Sequence, residues 1–385
     1  MLVSICLLLC ACAKPAQQSE NTYESADFTA AVISDLHYTC TPSEFNSIVA
    51  LEPLGKEVTD ALIAQVIDLD CDALILTGDN TNNGKEEDVR ELAAKLQKVR
   101  DAGIEVIMTA GNHDYGAGSM VPYEQYFLPL LEMDEKDESS FSYVKKTHGI
   151  MVFAMDDSHR EDSSGYYPEK TMRWLSDQLA KASASKSPVL FLSHHNLISG
   201  IESPMYRSYL IQNEGLVNML KEAGVRLCMS GHQHNQAVYE HEGMYEILSG
   251  MPFSNAHTFG ILTIDEEGVS YKTEEIDLKK YGEEGLAEKA DEFIARQSEA
   301  FNSTFVRLCE ESGVSEEDKK EILDLISRFF DASSRGILKQ EAADLHNDPA
   351  YDKMQQVLWD KNYGPWIEEL LKNPPMDGSS LQFHW

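Results

Sequence analysis

From Ala30 to Ser230, short apolar runs alternate with longer stretches in which apolar side chains return every three or four positions. The runs are Ala30 to Ser34, Ala73 to Thr77, Ile104 to Ala110, Gly149 to Asp156, Val189 to Ser193 and Val225 to Ser230. Runs of this length predict buried strands. Between them, Val58, Leu62, Val66 and Leu69 mark one helix and Val89, Leu92, Leu96 and Val99 a second. Met172, Leu175 and Leu179 mark a third, with Pro168 at its start. Strand and helix in alternation predict βαβ units and an α/β fold.

Beyond His234 the rhythm changes. Ala237 to Glu240, Met244 to Leu248, Phe259 to Ile264 and Val269 to Ile276 are brief runs, two of the gaps carrying Glu-Gly or Glu-Glu-Gly. They predict hairpins that extend a second, largely antiparallel sheet. From residue 282 the strand signals stop. Leu286, Phe293, Ile294, Phe301, Phe305 and Leu308 stripe one helix, ended at Gly313. Ser315 to Asp318 is a capping-box-like start for a second, which carries Ile322, Leu325, Ile326 and Phe329. Asp348-Pro349 opens another with Met354, Val357, Leu358 and Trp359. The expected division is a leader and tether over 1–26, an α/β domain over 27–281 and an all-α helical domain over 282–385.

Five of the strand-like runs stop at nitrogen and oxygen donors. Asp35-Leu36-His37 ends the first, and Gly78-Asp79 opens the polar stretch to Gly84 after the second. Gly111-Asn112-His113-Asp114, His194-His195 and Gly231-His232-Gln233-His234 end the others. In an open α/β sheet, ligands gather outside the carboxyl ends of the strands. One crevice should therefore receive all five. Carboxylate, amide and imidazole without thiolate suit zinc, manganese or iron, and not a structural cysteine-type zinc site.

Taken in order, these blocks resemble the calcineurin-like metallophosphoesterases, whose pattern runs D-x-H, G-D-x-x-x-x-G, G-N-H-D/E, H and G-H-x-H. The resemblance covers residues 35 to 234. It implies a four-layer αββα sandwich and two transition-metal ions (Mn, Fe or Zn). Asp35, His37 and His234 would hold one ion, Asn112, His194 and His232 the other, with Asp79 bridging. His113 matches the family's catalytic histidine. Asn82 stands where many members have a second Asp that hydrogen-bonds that histidine, so it supplies an acceptor without charge. A strand ending in Asp156, followed by Trp174-Leu175, fits the family's link between the third and fourth blocks.

Two cations sharing a carboxylate and a water lower the pKa of that water, so a bridging hydroxide is expected to attack phosphorus in line. His113 would stabilise the developing charge or protonate the leaving oxygen. Asp114 either orients His113 or caps the turn.

Charge narrows the substrate. The chain holds 65 acidic against 32 basic side chains, net -33. Nucleic acid and anionic membrane surfaces are held through Lys and Arg, so no nucleic-acid polymer is expected as partner and a long polyanion is disfavoured, while a small phosphate ester captured by metals is not. Candidate substrate contacts are His195, Arg207 and His257, each with a structural or ordinary loop role as the alternative. Arg207 offers a planar fork, and Tyr206 and Tyr209 beside it an aromatic face.

Residues 1–12 are apolar almost throughout and too short to span a bilayer, which predicts the apolar region of a signal peptide. Leu9-Cys10-Ala11-Cys12 resembles a bacterial lipobox, implying export and membrane attachment only through a lipid on Cys12. No Lys or Arg precedes the run, and the alternative is an uncleaved apolar tail. Downstream, Cys40, Cys71, Cys228 and Cys309 show no disulfide or zinc-knuckle spacing. The combined expectation is an exported cell-surface or periplasmic lipoprotein that hydrolyses small phosphodiesters. Exported bacterial members with an added helical region suggest cyclic nucleotides, and the helices are expected to cap the site. A broad phosphomonoesterase, or a catalytically inactive surface-binding lipoprotein of the same fold, is the alternative.

Overall fold

The computed structural model describes residues 27–40, 54–116, 118–158, 164–198, 209–254, 256–361 and 363–385. The leader with Cys12, the tether, Tyr206 and Arg207 lie outside the described residues.

In chain order the elements begin with β1 (Phe28–Ile33), α1 (Gly55–Asp68), β2 (Ala73–Thr77), α2 (Glu86–Asp101) and β3 (Glu105–Thr109). Next come α3 (Val121–Tyr126), β4 (Glu135–Lys136), β5 (Tyr143–Thr147), β6 (Ile150–Ala154) and α4 (Glu169–Ser185). They are followed by β7 (Val189–Leu192), α5 (Leu216–Glu222), β8 (Leu227–Ser230), β9 (Ala237–His241), β10 (Met244–Leu248), β11 (Thr258–Asp265) and β12 (Gly268–Glu275). The chain closes with α6 (Leu278–Tyr281), α7 (Leu286–Ser312), α8 (Glu316–Ser334), α9 (Leu338–His346), α10 (Tyr351–Leu358), α11 (Tyr363–Lys372) and β13 (Ser380–Phe383).

Two mixed sheets result, in the orders β13-β12-β11-β1-β2-β3 and β4-β5-β6-β7-β8-β10-β9. The strands β1, β2, β3, β6, β7 and β8 are buried on both faces, which is why their runs read as continuously apolar. In β1, Ala30 and Val32 face the core between the sheets while Ala31 and Ile33 join α1 and α2. In β7, Leu190 and Leu192 face that same core, and Val189 and Phe191 meet α4 and α5. The order of layers is therefore helix, sheet, sheet, helix, as the αββα expectation requires.

The hairpins form, but they do not share one antiparallel sheet. β9 and β10 pair with each other and join the second sheet, where β10 runs parallel to β8. β11 and β12 cross to the first sheet, with β11 antiparallel to β1. The reason is that β11 is apolar on both faces: Leu262 and Ile264 enter the core between the sheets, Phe259 and Ile261 the helix layer outside.

The C-terminal helices build a separate apolar cluster from Phe305, Ile322, Phe329, Leu345, Met354, Leu358 and Ile367 among others. Ser315 caps α8, its Oγ accepting from Asp318 N at 3.1 Å. This region is tied to the sandwich at both ends. Leu278, Leu286 and Ala290 belong to the cluster that holds α1 and β1, and after α11 the chain returns as β13, antiparallel to β12. Of the aromatic residues there, Trp366 is buried against Phe329, Tyr363 packs on Phe305, and Trp359 is 49% exposed. Cys40, Cys71, Cys228 and Cys309 are free thiols. Among the described residues no helix is long and apolar enough to cross a membrane.

Candidate metal centre

The loops after β1 and β2 are zipped together by backbone hydrogen bonds. Asp35 N donates to Gly78 O at 3.1 Å and His37 N to Asp79 O at 2.9 Å. Gly78 has φ +97°, and a Cβ there would stand 2.5 Å from His194 Nδ1, so only glycine lets the β7 loop come so close. Two carboxylates then reach across to neighbouring loops. Asp35 accepts from His232 N at 3.0 Å and Asp79 Oδ1 from His113 N at 2.8 Å. Asp35, His37, Asp79, His232 and His234 hold φ of 51, 44, 48, 69 and 55°. Left-handed backbone at non-glycine residues costs about 1–3 kcal/mol each, and its concentration here marks a loop system held by its surroundings.

The donors converge in two groups that share Asp79. Ligand atoms of Asp35, His37, Asp79 and His234 lie within 4.8 Å of one another, and so do those of Asp79, His194 and His232. In the first, His37 Nε2 is 3.0 Å from His234 Nε2, 3.7 Å from Asp79 Oδ2 and 4.0 Å from Asp35 Oδ1. In the second, His194 Nε2 is 3.2 Å from His232 Nδ1, 3.3 Å from Asp79 Oδ2 and 3.2 Å from Asn112 Oδ1.

These atoms fit cations. Thr77 O accepts from His194 Nδ1 at 3.0 Å, which puts the ring proton on Nδ1 and leaves Nε2 bare in the neutral imidazole. In the neutral ring that lone pair faces the oxygens of Asn112 and Asp79, an arrangement that a shared cation satisfies. Burial opposes a charge on His194, yet Asp79 more than offsets it and raises the ring to about 10, so a cation would take the place of that proton. Burial pushes His37 down to about 3, so it stays neutral, as a metal-binding imidazole must. Burial opposes the charge of Asp79, yet the charge and hydrogen bond of His194, with a further contribution from His113, more than offset it and hold the carboxyl well below its usual range.

His113 stands beside this cluster, its ring centroid 4.6 Å from that of His37. Its Nδ1 donates to the backbone carbonyl of Asn82 at 2.8 Å. The carbonyl of residue 82 thus orients His113 whatever side chain that position carries. Asp114 does not orient it. Its carboxylate accepts from Gly111 N (2.9 Å), Asn80 Nδ2 (2.9 Å) and Thr81 N (2.8 Å), tying the β2 and β3 loops together.

Asp157 was not singled out from the sequence, although it ends β6 in the same way as the other donors end their strands. Its Oδ2 accepts the backbone N–H of both His194 and His195 at 3.0 Å, and its Oδ1 lies 2.9 Å from His195 Nδ1. Asp156 instead accepts from Tyr115 Oη at 2.6 Å, and burial raises its carboxyl to about 6. His195, a candidate for substrate contact, is fully buried with its ring centroid 4.2 Å from that of His232. In this structure the ring packs between Asp157 and His232. His257 lines a different cleft of about 1020 Å³ beside α6 and α7, with Asp291 and Arg335 and none of the metal-group residues.

The family profile described as calcineurin-like phosphoesterase matches residues 28–236, which contain every one of these donors. The chain belongs to that family. Within the calcineurin-like phosphoesterases it is 27% identical over 203 residues to a "Probable cyclic nucleotide phosphodiesterase" of Rhodococcus erythropolis, an alignment covering 52% of this chain and 63% of that protein. The chain thus spans under two thirds of that relative's length. Its fold is shared with a dimetal phosphatase from Danio rerio at a TM-score of 0.53 and 15% identity, over 64% of this chain and 95% of the other.

Proposed function

We propose that this calcineurin-like phosphoesterase is a two-metal hydrolase of small phosphodiesters, with cyclic nucleotides as its first substrate class. The observation that carries the reading is the pair of donor groups sharing Asp79, with His113 placed beside them. Asp35, His37, Asp79 and His234 would hold one cation, and Asp79, Asn112, His194 and His232 the other. Two such cations polarise a phosphoryl oxygen and lower the pKa of water at the site.

The chain supplies the rest. His113 is oriented by the carbonyl of Asn82 at Nδ1, so in its doubly protonated form Nε2 is the atom that would deliver a proton to the leaving oxygen as the phosphorus–oxygen bond breaks, leaving the ring neutral with Nδ1–H still on that carbonyl. Asp157 holds the His194–His195 turn through both backbone amides. The net charge of -33 repels long polyanions, which favours a small diester. The name of the Rhodococcus relative supports the cyclic-nucleotide assignment.

The test is a comparison of kcat/KM for a cyclic mononucleotide, bis(p-nitrophenyl) phosphate and p-nitrophenyl phosphate with added manganese. Diesters are expected to be turned over faster than the monoester, and a preference for the monoester overturns the assignment. We further propose that the chain is an exported lipoprotein. Cys12→Ser is then expected to release it from the membrane fraction, and unchanged fractionation contradicts that.

A further inference from the structure

The loop that carries His232 and His234 is gripped from its far side by the C-terminal region. Gln236, two residues beyond His234, is buried. Its backbone N–H donates to Ser333 O near the end of α8 at 3.2 Å. Its Nε2 donates to Gly378 O at 2.8 Å and to Tyr271 Oη at 3.2 Å, while its Oε1 accepts from Gly250 N at 3.1 Å. The fit is close: a Cβ on Gly378 would lie 2.6 Å from Gln236 O, and one on Gly336 would lie 2.9 Å from Gln236 Cγ. Met376 N adds a hydrogen bond to Val238 O at 2.9 Å, and Gly378 N one to Gly336 O at 2.8 Å. Two C-terminal segments, 333–336 and 376–378, therefore close on residues 236–238.

The same region reaches the site at a second point. Tyr209 packs against the C-terminal apolar cluster, and its ring centroid is 5.2 Å from that of His232. Both His232 and His234 lie in the left-handed region, with φ of 69 and 55°. Such residues keep that backbone only where flanking contacts over-determine it. Asp35 supplies one contact, at His232 N. Gln236 sits at the other end of the loop. An amide is the side chain this position needs, because it offers two N–H donors and an acceptor together, and no carboxylate or aliphatic group does.

We propose that Gln236 is a positioning residue through which the C-terminal region sets the His232–His234 loop. The region beyond Lys280 is then a working part of the metal centre and not a detachable cover. The inference rests on the two-metal reading, which the binding isotherm of the unmodified chain tests by itself.

The experiment is a calorimetric Mn²⁺ titration of the chelator-stripped full chain and three variants. Gln236→Met keeps the volume and removes the hydrogen bonds. Gly378→Ala presses a methyl on Gln236 O and reads the same junction without changing the glutamine. Phe329→Ala loosens the C-terminal helical core, to whose apolar cluster the Phe329 ring belongs and residues 236–238 do not, on the turn of α8 that precedes Ser333. Loss of a direct hydrogen-bond partner of a metal ligand weakens affinity by roughly 10- to 100-fold. Gln236 holds the loop and not a ligand itself, so the loss expected for one of the two ions in Gln236→Met and Gly378→Ala is at the lower end, about 10-fold. Turnover in both variants should recover when manganese is raised to saturation. Phe329→Ala is expected to lower the unfolding temperature and leave both affinities unchanged. Unaltered Mn²⁺ binding in the junction variants overturns the proposal, and so does a loss that Phe329→Ala reproduces.

Discussion

In the strand-end loops the polar side chains are the buried ones. Asp35, His37, Asp79 and His194 have almost no exposed surface, and their partners are one another and backbone amides. The C-terminal helices are built the other way round, with Phe305, Ile322, Phe329 and Leu358 inside and their ion pairs, such as Arg328 with Asp348, at the surface. In the loops each residue type is tied to a task, since a buried carboxylate or imidazole without its partner is costly. In the helices only the apolar stripe and the volume are specified. Substitutions should therefore remove chemistry in the first region and stability in the second.

The sharpest break is expected from Asp79→Ala, which removes the carboxylate common to both donor groups. Hydrolysis should fall by more than the ~10²- to 10³-fold that loss of a single fixed electrostatic donor costs, and bound metal should drop with it. Full activity in that variant contradicts the shared-ligand arrangement. His113→Ala should lower kcat by ~10²- to 10⁴-fold and leave metal content intact, as for a group that moves a proton. If metal is lost instead, His113 is a ligand.

Phe329→Ala probes the other region. Deleting this buried ring is expected to cost ~3–5 kcal/mol of stability with kcat preserved below the melting transition, read by thermal unfolding beside activity. A large fall in kcat would show that the helical core itself shapes the site.

How much of this was legible in the sequence follows from the same contrast. The alternation of strand and helix could be read because strands buried on both faces give unbroken apolar runs, and the donors because each follows such a run directly; the four αββα layers followed from the family resemblance those donors carry. The sheet to which β11 and β12 belong could not be read, since pairing depends on which neighbour buries both faces. β13 was hidden because its apolar pattern is only Leu381 and Phe383 after Pro374-Pro375. The partner of His113 escaped because a backbone carbonyl carries no residue identity. Asp157 was within reach, as another strand-end carboxylate, but it stood next to Asp156, which drew the reading. The hydrogen bonds of Gln236 depend on segments distant in the chain, and no local spacing announces them.

The smallest expected effect lies beneath the loop after His194–His195. Glu246 accepts from Leu197 N, Ile198 N and Ser230 Oγ. Burial nevertheless raises its carboxyl from an ordinary 4.5 to about 7. A raised folded-state value means that the folded chain keeps a proton the unfolded chain releases. Its contribution is complete below about 4.5 and is lost as pH rises through about 7. Glu246→Gln should flatten this fall. The check is the difference in melting temperature between the two proteins from pH 5 to pH 8, and a difference that does not change with pH would count against it.

Reconstitution of the chelator-stripped chain bears on all of this at once. Manganese is added in known ratio to protein, and hydrolysis of a cyclic mononucleotide is followed together with bound metal. Activity is expected to be absent in the stripped protein and to reach its maximum at two ions per chain, the number of donor groups that share Asp79. Full hydrolysis without metal, or a maximum reached with one ion per chain, would contradict it.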